Sequence, residues 1–541
     1  MKSRLIPFLL AAILLTAGFL SLHQYNVTWD EALGDLFFGQ RYLSFFTTFD
    51  SKYLNFGANP YPPDFRPDLS SSPFRLRPWE HYPVASVLAT ATSRLLSPLL
   101  DPFDGYHAFN LLIGAAFLIL FYRFVEKEWG AIAAVTATLL LFLSPRIVGD
   151  AMANVKDFSE MVFFSTTIIL FYFAAERRSL PLLLFSGVIF GFALGTKANA
   201  LFLPPIIILY VLLRRPSWRA RALVLGLAAW AVIGFAVFFA SWPYLWQAPS
   251  ITLRSNLIYL LARKSGTRPE NLAGPFSMIL LTTPLPFLLS FLAGLVPIAR
   301  KIRSPQSLLL LCWIGIVCAR LILPSAINFD GVRHFLELFP PMAAVAGAGV
   351  AWTAGYKPAG ARATSPSRQV AGGPAARLAA VLVIAAMLVS LVPVHPFETA
   401  YWNVLAGGLN GAMSRQIPQA GDYWAASYRL GLRWLNEHAP RDAFLAVPIA
   451  EHTVRIVAPY RLRPDIRLVH ITNAWSPRID PRALAALHQL SEEHPVYVMF
   501  VLRRDWSNPL VIESMSRFPP VAVWRVDGAP VLVIVRMTRI K

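Results

Sequence analysis

Residues 2–35 read KSRLIPFLLAAILLTAGFLSLHQYNVTWDEALGD. An uncharged run, Leu5 to Leu22, separates Lys2 and Arg4 from the carboxylates Asp30, Glu31 and Asp35. It is long enough to cross about 30 Å of hydrocarbon as a helix. A basic flank also opens a signal peptide, yet no small-x-small cleavage site follows and many apolar runs lie downstream, so it is read as a retained helix. Further runs occupy approximately 84–100, 108–125, 131–148, 158–175, 180–195, 199–213, 222–241, 275–299, 306–323, 335–353 and 378–394. Over its 541 residues the chain is 56% hydrophobic and 15% charged, where a soluble protein carries about a quarter charged residues. These numbers exclude an ordinary soluble enzyme and predict a polytopic α-helical membrane protein.

The 49 Lys+Arg against 30 Asp+Glu leave a net charge of +19, which in a soluble domain would suggest nucleic acid. Here the cations sit in short loops between apolar runs: Arg123/Lys127, Arg177/Arg178, Arg214/Arg215/Arg219/Arg221, Arg300/Lys301/Arg303 and Lys357/Arg362/Arg368/Arg377. They are topology signals that place these loops in the cytoplasm, and no nucleic-acid partner is expected. The loops 149–157, 196–198, 242–274 and 324–334, and everything after 395, then face outside. A full set of twelve crossings starting inside would also end inside, so either 84–100, interrupted by Arg94, does not cross or a span is missed. The expected count is about 11 to 13 transmembrane helices. Cys312 and Cys318 lie inside one apolar run and give neither a disulfide framework nor a metal cluster.

Residues 1–395 are read as the membrane domain, with a first outer loop, 23–83, whose Trp29, Phe37, Phe38, Tyr42, Phe45 and Phe46 suggest short interfacial helices. Gly355–Ala376 is a linker. The tail, 396–541, loses the long apolar runs and reads as an extracytoplasmic α/β domain. It shows an amphipathic helix at 423–437, a strand at 443–449, a helix from Asp480-Pro481 to Glu493, a strand Val496–Leu502 and a hairpin around Asp527-Gly528.

Candidate chemistry gathers on the predicted outer side. In Thr28-Trp29-Asp30-Glu31 the carboxylates either open a solvated helix or serve a site close to the bilayer. Asp150 and Asn154-Val155-Lys156-Asp157 lie at the mouth of another span, where Asp157 is either a cap or a partner in holding a divalent ion or a reacting hydroxyl. Lys197, in Gly195-Thr196-Lys197, either snorkels to headgroups or meets a lipid-linked phosphate. Arg333, in Asp330-Gly331-Val332-Arg333-His334, has the fork geometry for a phosphate, beside His334. HExxH, GxSxG and Walker motifs are absent from the sequence, leaving proteolysis, serine hydrolysis and NTP use unsupported.

Taken in order, Trp29-Asp30-Glu31, His81-Tyr82-Pro83, Ser144-Pro145-Arg146 with Asn154-x-Lys156-Asp157, Gly195-Thr196-Lys197, and Asp330-Gly331-x-Arg333-His334-Phe335 before Pro340-Pro341 resemble the GT-C superfamily. These are polyprenyl-phosphate-sugar-dependent glycosyltransferases, here of the protein mannosyltransferase and aminoarabinose transferase type. His395-Pro396, Tyr401-x-Asn403, Gly407-Gly408 and Asp422-Tyr423-Trp424 extend the resemblance into the tail. It implies a GT-C-like fold and sugar transfer, with inversion, from a polyprenyl-phosphate donor in the bilayer to an acceptor hydroxyl on a glycan, lipid or protein. It implies Asp30 as general base, with Glu31 and Asp157 in the catalytic set, and Lys197 and Arg333 as a cradle for the leaving phosphate. His334, Asp150 and His81 join them on the substrate side; Tyr82 stands where many relatives carry a second Pro. Asp157, Glu31 and Asp150 would orient the acceptor or hold a divalent metal, Mg or Mn, for which Asp30 and Asp157 are the candidate ligands. With Arg outnumbering Lys 40 to 9, as in GC-rich bacterial genomes, the expected location is a bacterial inner membrane with the site facing outside.

Two other readings compete. A lipid-linked saccharide transporter or flippase would place ionisable residues at mid-membrane in repeated halves, whereas here the charges lie at helix ends and no repeat is visible. A recognition scaffold would use Trp424, Trp434, Trp475 and Trp506 of the tail as stacking surfaces, although such aromatics more often form a core.

Overall fold

The computed structural model describes residues 4–55, 78–215, 218–262, 274–323, 330–353, 373–417, 419–471, 479–503 and 507–537. Most of the Gly355–Ala376 linker, Trp475 and Trp506 lie outside them.

Every predicted apolar run is helical. Among the described residues seven helices are long and apolar enough to span a membrane: Ile6–Gln24, Pro102–Phe142, Val155–Arg177, Ala220–Ser241, Pro305–Ile322, Arg333–Thr353 and Pro374–Val394. Gly274–Thr282 and Leu285–Arg300, bent by 112° at the Thr283-Pro284 break, form an eighth as a broken span. Val84–Leu96, Leu180–Leu194 and Ala198–Arg214 are shorter apolar helices. Two predicted runs, 108–125 and 131–148, share the 41-residue helix Pro102–Phe142, which breaks direction at Gly130 with φ 79° and ψ 174°.

The run at 84–100 resolves the parity of the helices. Val84–Leu96 has 13 residues, about 20 Å at 1.5 Å per residue, short of the hydrocarbon thickness. Its first residue donates from Val84 N to Gly195 O, and beyond its last turn Asp101 pairs with Arg461 of the tail at 2.8 Å. Both ends of this helix touch elements of one end of the bundle, the end that also carries Lys197.

The bundle has two chemically distinct ends. Val155–Arg177 runs from Lys156 and Asp157 to Arg177, Leu180–Leu194 returns towards Lys197, and Ala198–Arg214 runs away again to Arg214. At the arginine end Lys301 lies 5.0 Å from the Trp129 ring and Arg300 5.2 Å from Trp352. The opposite end is covered by the tail, whose strands are β1 Phe444–Ala446, β2 Arg467–Val469, β3 Val496–Val501, β4 Pro520–Val526 and β5 Ala529–Met537. They form one sheet in the order β2-β1-β3-β5-β4, parallel among the first three and antiparallel on the β5 side. All six side chains of β3 are buried, as expected of a central strand covered on both faces. Asp480 caps Pro481–Glu493 as its sequence signal predicts, accepting from Arg482 N, and Asp527 and Gly528 take positive φ in the turn of the closing hairpin. Two further helices, Glu451–Arg461 and Pro509–Arg517, complete the tail; the second opens on the same kind of signal, with Asn508 accepting from Val511 N ahead of Pro509.

An ionic clamp ties the tail to the membrane part. Arg461 Nη2 lies 2.8 Å from Asp101 and 2.9 Å from Asp104, and Arg429 pairs with the same two carboxylates. Arg429 also donates to Leu22 O and Tyr25 O at the end of the first helix.

Candidate functional site

Directly after the first helix the chain turns at Thr28 and enters one wide helical turn, Glu31–Asp35, in which Leu36 N donates to Glu31 O. The helix Leu36–Thr48 follows. Such i→i+5 turns are rare and are frequent at functional sites. Gly34 is required here, because any side chain on it would collide with the His81 ring.

The wide turn separates the jobs of its acids. Glu31 Oε2 accepts from Thr28 N at 2.9 Å and lies 3.0 Å from His107 Nε2, while Oε1 accepts from Val155 N at 3.1 Å. Glu31 is a buried strut joining this turn to two spans, with its carboxylate directed away from the open side. Asp30 is directed the other way. Its side chain is 29% exposed, against 1% for Glu31, 4% for Asp35 and 0% for Asp157. Of these acids it alone presents a substantial face outward.

Asp30 sits at the edge of a charge network assembled from four separate stretches of chain. Arg333 Nη1 donates to Asp30 Oδ2 and to Asp157 Oδ2, each at 3.1 Å, and Nη2 donates to Asp330 Oδ2 at 3.0 Å. Lys197 Nζ meets Asp157 Oδ1 at 2.7 Å. Lys156 Nζ bridges Asp30 at 3.3 Å and Asp35 at 3.1 Å. Asn154 caps the helix by accepting from Asp157 N, and its amide donates to Asp157 Oδ2 at 3.0 Å and Asp150 Oδ1 at 2.6 Å. Asp157 is therefore a buried hub, and Asn154 does the capping.

The tail completes the network. Trp424 lies against the Arg333 guanidinium at 4.5 Å. Arg503, following β3, pairs with Asp330 Oδ1 at 3.0 Å, donates to Tyr423 O at 2.6 Å and stands 5.4 Å from the Trp29 ring. His452 Nε2 lies 3.3 Å from Trp29 O, and burial pushes its imidazole down to about 4, so the neutral ring donates that proton. Gly331, at φ +71°, lets the loop pass under Tyr423, whose Oη would be 2.9 Å from any Cβ there. Asp30, Asp35, Asp157 and Asp330 are thereby balanced by Lys156, Lys197, Arg333 and Arg503.

The remaining candidates border this core. Asp150 is buried; Oδ2 has no hydrogen-bond partner among the described residues. Burial, reinforced by Asp157, pushes its carboxyl up to about 7 against the pull of Asn154, Arg333 and Arg146. His81 Nδ1 lies 3.4 Å from Asp35 Oδ1 and its ring stacks on Phe38 at 4.4 Å. His334 contributes its carbonyl, which accepts from Asn199 at 2.9 Å and from Arg320 at 3.0 Å. Arg320 also pairs with Glu337 at 2.6 Å, and Glu160 is buried a turn below Asp157. Charged residues inside apolar spans are a readable functional signal, and Glu160, Arg320 and Glu337 could have been found by it. Lys156, within the Asn154-x-Lys156-Asp157 motif, gains its role from its bridge between Asp30 and Asp35. Arg503 and His452, remote in sequence, carried no local signal.

Between Asp30 and Asp157, the two candidate metal ligands, stands the Arg333 guanidinium, which donates to both. Among the described residues no group of three or more His, Cys, Asp or Glu is placed to hold an ion.

The chain aligns with the crystal structure of ArnT from Cupriavidus metallidurans bound to undecaprenyl phosphate at a TM-score of 0.51, over 98% of this chain and 97% of that one, at 15% identity. The apo form of the same protein aligns with the same coverage and TM-score at 14% identity. The fold is that of ArnT. In sequence, the family described as dolichyl-phosphate-mannose-protein mannosyltransferase matches residues 81–242, a stretch that holds His81, Asp150, Asp157 and Lys197. The arabinofuranosyltransferase AftD from Mycobacteria aligns at a TM-score of 0.43 and 13% identity, over 98% of this chain and 41% of that one. No curated protein matches the chain in sequence.

Proposed function

We propose that this protein transfers a sugar from a polyprenyl-phosphate donor to an acceptor hydroxyl at the outer face of the membrane, with inversion. The observation that carries the reading is Asp30: an outward-facing carboxylate held by two cations at the edge of a charge network, at the end of an apolar helix. Asp30 takes the acceptor proton as its oxygen attacks the anomeric carbon. The bond from that carbon to the phosphate oxygen breaks, and the leaving polyprenyl phosphate is stabilised by Lys197 and Arg333. Arg333 Nη1 is shared between Asp30 and Asp157. A phosphate that draws Arg333 away from Asp30 makes Asp30 more basic, so donor binding switches on the base. Support for a polyprenyl-phosphate donor comes from ArnT, which shares the fold and whose structure contains undecaprenyl phosphate.

The transport reading would rest on the buried Glu160, Glu337 and Arg320. Glu160 is the sixth residue of its span and Glu337 the fifth, within about 9 Å of the site end, so they deepen the site and leave the bilayer centre uncharged. Reconstituted protein, offered a panel of polyprenyl-phosphate sugars, should release free polyprenyl phosphate from one of them when an acceptor is present. Passage of intact labelled donor across the bilayer without release would favour transport.

A further inference from the structure

At the end of the bundle opposite the site lies a groove of about 560 Å³ between Leu180–Leu194 and Ala220–Ser241. That end is a 15-residue helix away from Lys197, about 22 Å. The walls are apolar, including Leu180, Leu184 and Leu225, and the mouth carries Arg178, Trp218 and Arg219. Trp218 is fixed in place: its indole Nε1 donates to Ala175 O at 3.2 Å. Gly226 lets the two helices approach closely at the groove, since a Cβ there would press on Leu183 at 2.9 Å.

The volume lies in the range of small-molecule sites, yet Leu180 and Leu225 are 47% and 59% exposed and point to the surface that faces acyl chains. Water is therefore not the natural occupant. The charge at the mouth is predominantly basic. Arg177, Arg215 and Arg221 are exposed beside the two mouth arginines, and Glu176, an acidic residue at this edge, is 3.9 Å from Arg214. An apolar slot that opens at headgroup depth between arginines and a fixed tryptophan matches an amphiphile with an anionic head.

We infer that this groove binds a phospholipid with an acidic headgroup, its phosphate between Arg178 and Arg219 and an acyl chain along Leu180, Leu184 and Leu225. The assignment is independent of the proposed transfer, which uses no residue at this end. It gives the protein a second lipid site, at the opposite end of the bundle from the first.

The test uses the full chain in phosphatidylcholine vesicles containing a minor fraction of phosphatidylglycerol or phosphatidylcholine with brominated acyl chains. The Trp218 signal is the fluorescence difference between wild type and Trp218→Phe. Brominated phosphatidylglycerol should quench it at least about threefold more than brominated phosphatidylcholine, reflecting two arginines at the headgroup. Arg178→Gln with Arg219→Gln should abolish that preference. Equal quenching by the two lipids, or a preference that survives the double variant, overturns the site. A measurement that needs no tryptophan variant is the phosphatidylglycerol retained through purification, which should fall in the double variant; unchanged retention also overturns it. Displacement of the lipid by inorganic phosphate would contradict lipid binding and leave a bare anion site.

Discussion

Asp157→Asn should be among the most damaging near-isosteric substitutions in this protein. Asp157 is fully buried, with Lys197 at 2.7 Å and Arg333 at 3.1 Å. At an effective dielectric constant of about 20, one pair at that shorter distance is worth about 6 kcal/mol before desolvation is charged against it. Removing one member of a buried pair costs about 3–5 kcal/mol, because the partner stays buried without its counter-charge. Asn154 can still hydrogen-bond the new amide, so the loss is mainly electrostatic. Lys197→Met in the same background removes the stranded cation and should recover about half of the loss, while Arg333 keeps Asp30 and Asp330. The assay is a double-mutant cycle on unfolding in mixed micelles. Loss of less than about 1 kcal/mol in Asp157→Asn, or additive effects in the double variant, would refute the buried-hub reasoning.

The other predictions probe the surroundings of the hub. Arg503→Gln removes the tail's charge from Asp330 and should lower kcat about tenfold, about 1.4 kcal/mol of barrier, with KM little changed and partial rescue by Arg503→Lys; an unaltered kcat would show that the tail is only a cover. Asp150 has a folded-state pKa of about 7, above the ordinary carboxyl value of about 4, so the wild type loses stability as pH rises through about 7 and keeps it in full below about 4. Asp150→Asn should therefore unfold at a higher temperature than wild type at alkaline pH and at the same temperature in acid; a pH-independent difference contradicts the buried proton. Because a guanidinium bridges Asp30 and Asp157, a chelator should leave transfer unchanged, and loss restored by Mg or Mn would return the metal reading.

Much of the fold was legible because a bilayer imposes length and hydropathy on any helix that crosses it. Each apolar run became helical, and Asp480-Pro481 and Asp527-Gly528 formed the helix start and hairpin turn their chemistry dictates. The crossing of 84–100 was undecided, because Arg94 and a short apolar stretch fit an interfacial helix as well as a span. The site was half legible. The order of Asp30, Asp157, Lys197 and Arg333 pointed to one membrane face, and the structure joins all four. Glu31 carries a local signal of its own: Thr28-x-x-Glu31 is the capping-box pattern, and Thr28 N donates to Glu31. Arg503, His452 and the contact of Trp424 with Arg333 depend on how the tail docks, through contacts remote in sequence such as the Arg429 and Arg461 clamp that no local pattern encodes.

Asp30→Asn tests the account most directly. The substitution leaves Lys156 with Asp35, and Arg333 with Asp157 and Asp330, so the charge network and the fold persist. In vesicles supplied with the active donor and acceptor, release of free polyprenyl phosphate should fall by about 10²–10⁴-fold, the usual contribution of a general base, while the thermal unfolding profile is kept. Release within about twofold of wild type from folded Asp30→Asn protein would contradict the assignment of Asp30 as the base.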